Sequence, residues 1–94
     1  MKIIDFKKED NSPVGELYYN QENQILKITV REKTDFLRVG FLINSLLERL
    51  PEKARIESSQ KDLSVKVENF SPLQMAVLRS EMFQKGNFLC QENP

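Results

Sequence analysis

The sequence predicts an α+β fold, a two-layer sandwich in which an antiparallel sheet of about five strands carries two helices on one face. In two segments apolar and polar residues alternate, as in half-buried strands, and after each the apolar residues recur every three to four positions, as in an amphipathic helix. A lone hairpin is marginally stable, so joining both hairpins and an N-terminal strand into one sheet is the economical arrangement. We expect the order βββαββα, with a short C-terminal strand as an optional addition, in a single domain over residues 1–94.

The first three strands are expected in the N-terminal third of the chain. Residues 2–6 form a β-branched apolar run, and residues 15–19 and 24–31 alternate on either side of a four-residue polar turn. This pattern is typical of an antiparallel hairpin with one solvated face. A four-residue turn would place Glu16 directly opposite Lys27, an opposite-charge pair on the solvated face.

The period changes at Thr34, which predicts the first helix over residues 35–50. Thr34 is a suitable N-cap, and Pro51 cannot continue a helix, so it ends this one. The core stripe of this helix is expected to hold Phe36, Val39, Ile43, Leu46, Leu47 and Leu50.

A second alternating hairpin precedes the clearest local signal in the chain, the start of the second helix. Ser71 suits the N-cap and Gln74 lies three residues later, which together predict a capping box. Phe70 and Met75 flank this box at the spacing of a hydrophobic staple. Gly86 is expected to end the helix.

Composition argues against most enzyme chemistry. The 94 residues include 14 Lys and Arg, 14 Asp and Glu, no His and one Cys. Without His, the common general base and the commonest metal ligand are missing, and one Cys cannot build a Cys-only metal site. We therefore expect no enzyme activity, no metal and no cofactor. One Cys allows no internal disulfide, and no segment is long and apolar enough for a signal peptide or a membrane span, which favours a cytoplasmic protein.

Some apolar residues fall outside the expected core stripes, which predicts a surface for a protein partner or for a second copy of the chain. On the second helix we expect Leu73, Ala76 and Val77 to face the core, which leaves a second apolar stripe on nearly the opposite side. Alternatively, these leftover residues could be covered by the chain's own tail or loops. The predicted partner-binding residues are Leu37, Phe41, Met75, Leu78 and Met82.

A second candidate is the solvated face of the sheet, where an aromatic ring beside cations could hold single-stranded nucleic acid. Against it, three glutamates share this face and nearly cancel its positive charge, whereas binding phosphates needs an excess of cations. The residues that would carry this alternative are Tyr18, Lys27, Arg31, Arg55 and Lys66.

The predicted element order resembles the core of type III secretion chaperones, which act as dimers that bind other proteins. Those chaperones usually have an extra N-terminal helix and an acidic balance, and this chain has neither. The resemblance implies a dimeric, protein-binding role, which agrees with the leftover apolar residues. We therefore expect a non-enzymatic interaction module, an adaptor, inhibitor or chaperone-like homodimer, with a nucleic-acid-associated regulator as the alternative.

Overall fold

A computed structural model describes residues 2–50 and 53–93. The expected α+β class is confirmed: the chain forms three strands, a helix, two strands, a second helix and a short final strand. The expected stop at Pro51 lies outside the described residues. The elements are β1 (Lys2–Lys7), β2 (Pro13–Asn20), β3 (Ile25–Val30), α1 (Lys33–Arg49), β4 (Arg55–Ser59), β5 (Ser64–Glu68), α2 (Pro72–Gln84) and β6 (Leu89–Asn93).

The six strands make one antiparallel sheet in the order β4-β5-β3-β2-β1-β6. The two hairpins join where β3 pairs with β5, with Leu26 opposite Val67. The optional C-terminal strand exists as β6, which pairs with β1 and forms one edge of the sheet. The other edge is β4, so the N-terminal strand lies in the interior of the sheet.

The expected register of the first hairpin is wrong by two residues. The turn occupies residues 21–24, so Lys27 lies opposite Tyr18 and Glu16 lies opposite Thr29. The side chain of Asn20 stabilises this turn, because its Oδ1 accepts hydrogen bonds from the backbone N–H of Glu22 and of Asn23. A shift of two residues preserves the face of every side chain, so the core pattern is as expected although the cross-strand pairs differ.

The core lies between one face of the sheet and both helices. Inward residues of β1, β2, β3 and β5, together with residues of α1 and α2, form a single buried cluster. Tyr19 joins β2 to the start of α2, because its hydroxyl donates a 2.6 Å hydrogen bond to the carbonyl oxygen of Phe70. After α2 the chain returns through Phe88, which is fully buried and packs edge-on against Phe6 with ring centroids 5.5 Å apart.

The two helices begin in different ways. α1 begins at Lys33, its N-cap is Glu32 and no side chain caps it, so the expected cap at Thr34 is wrong. α2 begins with the expected capping box, in which the side chains of Ser71 and Gln74 each bond the other's backbone N–H. Gln74 also donates from Nε2 to the carbonyl oxygen of Leu50 at 3.0 Å, so one buried amide connects the start of α2 to the end of α1.

The face of α2 that packs on the sheet is opposite to the one expected. Met75, Leu78 and Met82 are 6%, 0% and 0% exposed, so their expected role as a partner-binding stripe is wrong. Of the residues expected on the core side, Leu73 and Ala76 are exposed instead, and Val77 is half-buried against the core. Because α2 carries apolar residues on two sides, the spacing of these residues alone does not determine which side is buried. The end of α1 favours the side that contains Gln74 and Glu81, because it provides partners for these two polar side chains.

Candidate functional site

The outward side of α1 carries two large apolar side chains without cover. Leu37 is 55% and Phe41 72% exposed, as the sequence predicts for this pair. They lie one turn apart, and on the opposite side of the same helix Val39 and Ile43 are fully buried. The two outward side chains line a shallow groove of about 300 Å³, whose far wall is formed by the end of α2. We call this feature the α1 patch.

Two cations stand at the rim of the α1 patch. Arg38 donates from Nη2 to the carbonyl oxygen of Gly86, and its guanidinium lies 4.9 Å from the centroid of the Phe88 ring. Lys85 contributes the other cation, with its Nζ 3.6 Å from Glu81. Both positive groups are therefore held in place beside an apolar floor, and they would favour an acidic group on any molecule that docks here.

The interface between the helices contains one buried carboxylate. Glu81 has a side chain 8% exposed and is paired through Oε1 with Arg49 and with Lys85. Its Oε2 is buried and has no hydrogen-bond partner in the described part of the chain. This ion pair connects the two helices, because Arg49 belongs to α1 and Glu81 to α2, although the side chains of Arg49 and Lys85 are about half exposed.

The residues of the nucleic-acid alternative are only partly together. Lys66, Lys27 and Tyr18 lie side by side on the outer face, in one row across β5, β3 and β2. Arg55 is on the edge strand, where its guanidinium lies 3.8 Å from Glu57. Arg31 follows the end of β3. The predicted cations therefore do not converge on one site.

Acidic residues interrupt the outer face of the sheet. Asp5 and Glu16 lie directly opposite each other on β1 and β2, next to the row that contains Tyr18. The Tyr18 hydroxyl donates to Glu16, and this hydrogen bond, followed by partial desolvation and the charges of Glu16 and Asp5, raises the pKa of Tyr18 above 10.0. Tyr18 and Ile25 also line a depression of about 480 Å³ on this face.

The described residues contain no group of three or more Cys, Asp or Glu side chains placed to hold a metal ion. Burial raises the pKa of the Cys90 thiol, which Arg79 opposes to a smaller extent, and this disfavours the reactive thiolate. Within residues 2–50 and 53–93, no helix combines the length and the apolar character needed to cross a lipid bilayer.

Sequence reasoning found the α1 patch and missed the true core face of α2, although a signal for that face was present. Phe70 ends the second hairpin and is buried, and a hydrophobic staple to Met75 implies that Met75 turns to the core as well. Sequence reasoning also missed Asp5 on the outer face, because its position beside Glu16 depends on the pairing of β1 with β2.

Comparisons of the chain with protein-family models, with curated proteins and with solved structures find no match.

Proposed function

We propose that this chain is a small, non-enzymatic protein–protein interaction module that works in the cytoplasm as a homodimer, in the manner of an adaptor, inhibitor or chaperone-like protein. The observation that carries the proposal is the exposure of Leu37 and Phe41 on an otherwise well-packed helix. Large apolar side chains that cluster at the surface are typical of protein interaction sites.

The chemistry of the α1 patch favours a particular kind of occupant. An apolar groove with Arg38 and Lys85 at its rim suits a segment of another protein that presents apolar anchors flanked by acidic side chains. In a helix-in-groove contact of this kind, the apolar anchor side chains lie one helical turn apart, which matches the spacing of Leu37 and Phe41. Buried Met75, Leu78 and Met82 have no part in this surface.

Nucleic-acid binding is the weaker candidate. Lys27 and Lys66 are adjacent on the outer face, but Asp5 and Glu16 lie on the same face only two strands away. A strand of phosphates following this face would meet both signs of charge, whereas affinity for nucleic acid rises with the number of phosphates neutralised.

Site-specific photocrosslinking in the native cell tests the docking of a partner on the α1 patch. A photoreactive amino acid replaces Phe41 in one variant and the exposed Glu48 of the same helix in a control variant. We expect one discrete adduct from position 41, its loss when Leu37→Glu is added, and no such adduct from position 48. The captured protein, produced separately, should bind the wild-type chain at least tenfold more tightly than it binds Leu37→Glu, since anchors of this kind dominate affinity.

Two results would contradict the proposal. One is the absence of any adduct at position 41, and the other is equal adduct formation at positions 41 and 48. Sedimentation velocity tests the homodimer separately, because it reports whether the particle mass is 11.0 kDa or twice that value.

A further inference from the structure

The outward side of α2 presents a row of exposed apolar and small residues. Leu73 is 62% and Phe83 60% exposed. Between them, the same side of the helix carries Ala76 and Ser80, which are also exposed. At 100° per residue the four positions fall within about 80° of one another, and buried Leu78 lies on the opposite side of the helix. We call these four residues the α2 stripe.

The two charged side chains of α2 point away from the α2 stripe. Glu81 is buried between the helices, where it pairs with Arg49 of α1. Arg79 turns toward the final strand, where its Nη1 lies 3.3 Å from Glu92. In a chain of which 30% is charged, the outward side of this helix therefore carries no charge. A helix with apolar residues on both sides is expected to be covered on both, and an uncharged surface can meet its own copy without repulsion.

The order of residue sizes along the α2 stripe is the same in both directions. Large residues stand at its two ends, small ones stand between them, and the spacings are three, four and three residues. In an antiparallel pair of α2 helices related by a twofold axis, Leu73 of one copy therefore packs beside Phe83 of the other. At the centre Ala76 faces Ser80 of the other copy, and small side chains there allow the helices to approach closely. A second copy of the chain thus matches the stripe in both size and charge.

We propose that two copies of this chain associate through their α2 stripes, packed antiparallel about a twofold axis that passes between Ala76 and Ser80. The proposal rests on the homodimer in the proposed function and names its contact surface.

The α1 patch lies to one side of this contact. Arg38, at the rim of the patch, is bonded to Gly86, eight residues beyond the middle of the α2 stripe. At about 1.5 Å per residue this places the rim roughly 12 Å along α2 from the axis. The patch can therefore bind a different protein while the two copies remain associated.

The size of α2 sets the concentration range of the test. Its 13 residues at about 1.5 Å, with a helix width of about 10 Å, give a flat footprint of roughly 200 Å². A standard interface buries about 800 Å² of accessible surface per partner, so this contact lies at the small, reversible end of the range. We expect dissociation in the micromolar range. Salt should change it little, because the stripe carries no charge.

Charges introduced at the two small positions test the contact. Ala76→Glu and Ser80→Lys each bring an unpaired charge into an apolar contact, which should raise the dissociation constant at least tenfold in sedimentation velocity. An equimolar mixture of the two variants should associate more tightly than either variant alone, because the introduced carboxylate of one copy then lies beside the introduced ammonium group of the other. Phe41→Glu is the matched control, since it places a charge at an exposed apolar position outside the stripe, and it should leave dimerisation unchanged.

The stability of the monomer is measured separately. Ala76 and Ser80 are exposed in the single chain, and Glu and Lys are both good helix formers, so neither substitution disturbs packing within the monomer. At a protein concentration well below the wild-type dissociation constant, both variants should unfold at a urea midpoint close to that of the wild type. This distinguishes a lost contact between copies from a damaged monomer.

The other outcomes each overturn the proposal. A wild-type protein that stays monomeric at high micromolar concentration overturns both this contact and the homodimer. A dimer that survives Ala76→Glu and Ser80→Lys overturns the α2 contact alone, and its loss in Phe41→Glu would place the homodimer contact on the α1 patch. A mixture that associates no better than the separate variants overturns the antiparallel arrangement. A photoreactive residue in place of Ala76 that crosslinks in the cell to a different protein, and not to a second copy, assigns the stripe to that protein.

Discussion

Replacing Leu78 by Ala tests which side of α2 faces the core. Leu78 is 0% exposed, so the substitution removes three carbon groups from a fully packed site. At about 0.8 kcal/mol per group the lost transfer free energy is roughly 2.4 kcal/mol, and the cavity left behind brings the loss to about 3–4 kcal/mol. A domain of this size has a total stability of roughly 5–14 kcal/mol, so the loss is a large fraction of it.

Leu73 provides a matched control on the same helix. It is 62% exposed, so Leu73→Ala loses only about 0.4 of that transfer free energy, roughly 0.9 kcal/mol, and leaves no cavity. Urea unfolding followed by circular dichroism, at one fixed protein concentration, compares the two variants. With a slope of about 1–1.5 kcal/mol per molar urea, Leu78→Ala should lower the midpoint by roughly 2–4 M and Leu73→Ala by less than about 1 M. Equal losses, or a larger loss for Leu73→Ala, would refute the packing described for α2.

Four further predictions concern local features. Gly40 lies within α1, and an added Cβ would meet no atom there, so Gly40→Ala should raise the free energy of unfolding by about 0.5–1 kcal/mol. At Gly15 an added Cβ would overlap a backbone carbonyl oxygen of β3. Gly15→Ala should therefore lower the free energy of unfolding by about 1–3 kcal/mol in the same urea assay. Burial raises the pKa of Cys90, so at pH 8 iodoacetamide should modify it more slowly than a free cysteine peptide, and urea should abolish the difference. Faster alkylation in the folded state would contradict the raised pKa. Because the folded thiol keeps its proton to higher pH than the unfolded one, its contribution to stability is present below about pH 9 and is lost above it. Glu16→Gln should lower the pKa of Tyr18 in a spectrophotometric titration, since the carboxylate that accepts its hydrogen bond is the main cause of the raised pKa. An unchanged titration would contradict this role of the carboxylate.

Local signals in the sequence predicted most of the secondary structure. The capping box at Ser71 and Gln74 depends on residues three apart, and it forms as predicted. The outward position of Leu37 and Phe41 follows from the period of α1, whose apolar residues form one clear stripe. Such features need no knowledge of distant contacts.

The face of α2 depended on contacts that the sequence does not display. Its buried side includes Gln74 and Glu81, which a pattern of apolar residues assigns to solvent. Their partners are the carbonyl oxygen of Leu50 and the guanidinium of Arg49, both at the end of α1. Gln74 and Glu81 can therefore be buried with a partner only because the two helices pack together. The staple from Phe70 to Met75 was the one local signal for the correct side.

The charge pattern of the outer face depended on the order and register of the strands. Lys27 lies beside Lys66 because β3 pairs with β5, a contact between residues far apart in the sequence, and Lys66 in turn lies opposite Glu57 on β4. The predicted hairpin placed Glu16 opposite Lys27 and so implied an ordinary ion pair within the chain. In the true register, two residues away, Lys27 lies opposite Tyr18 and Glu16 lies opposite Thr29, so that ion pair does not form.

Sedimentation velocity of the wild-type chain tests the proposed homodimer most directly. At micromolar and higher concentrations we expect a particle of twice 11.0 kDa. A particle of 11.0 kDa at every concentration would contradict the homodimer.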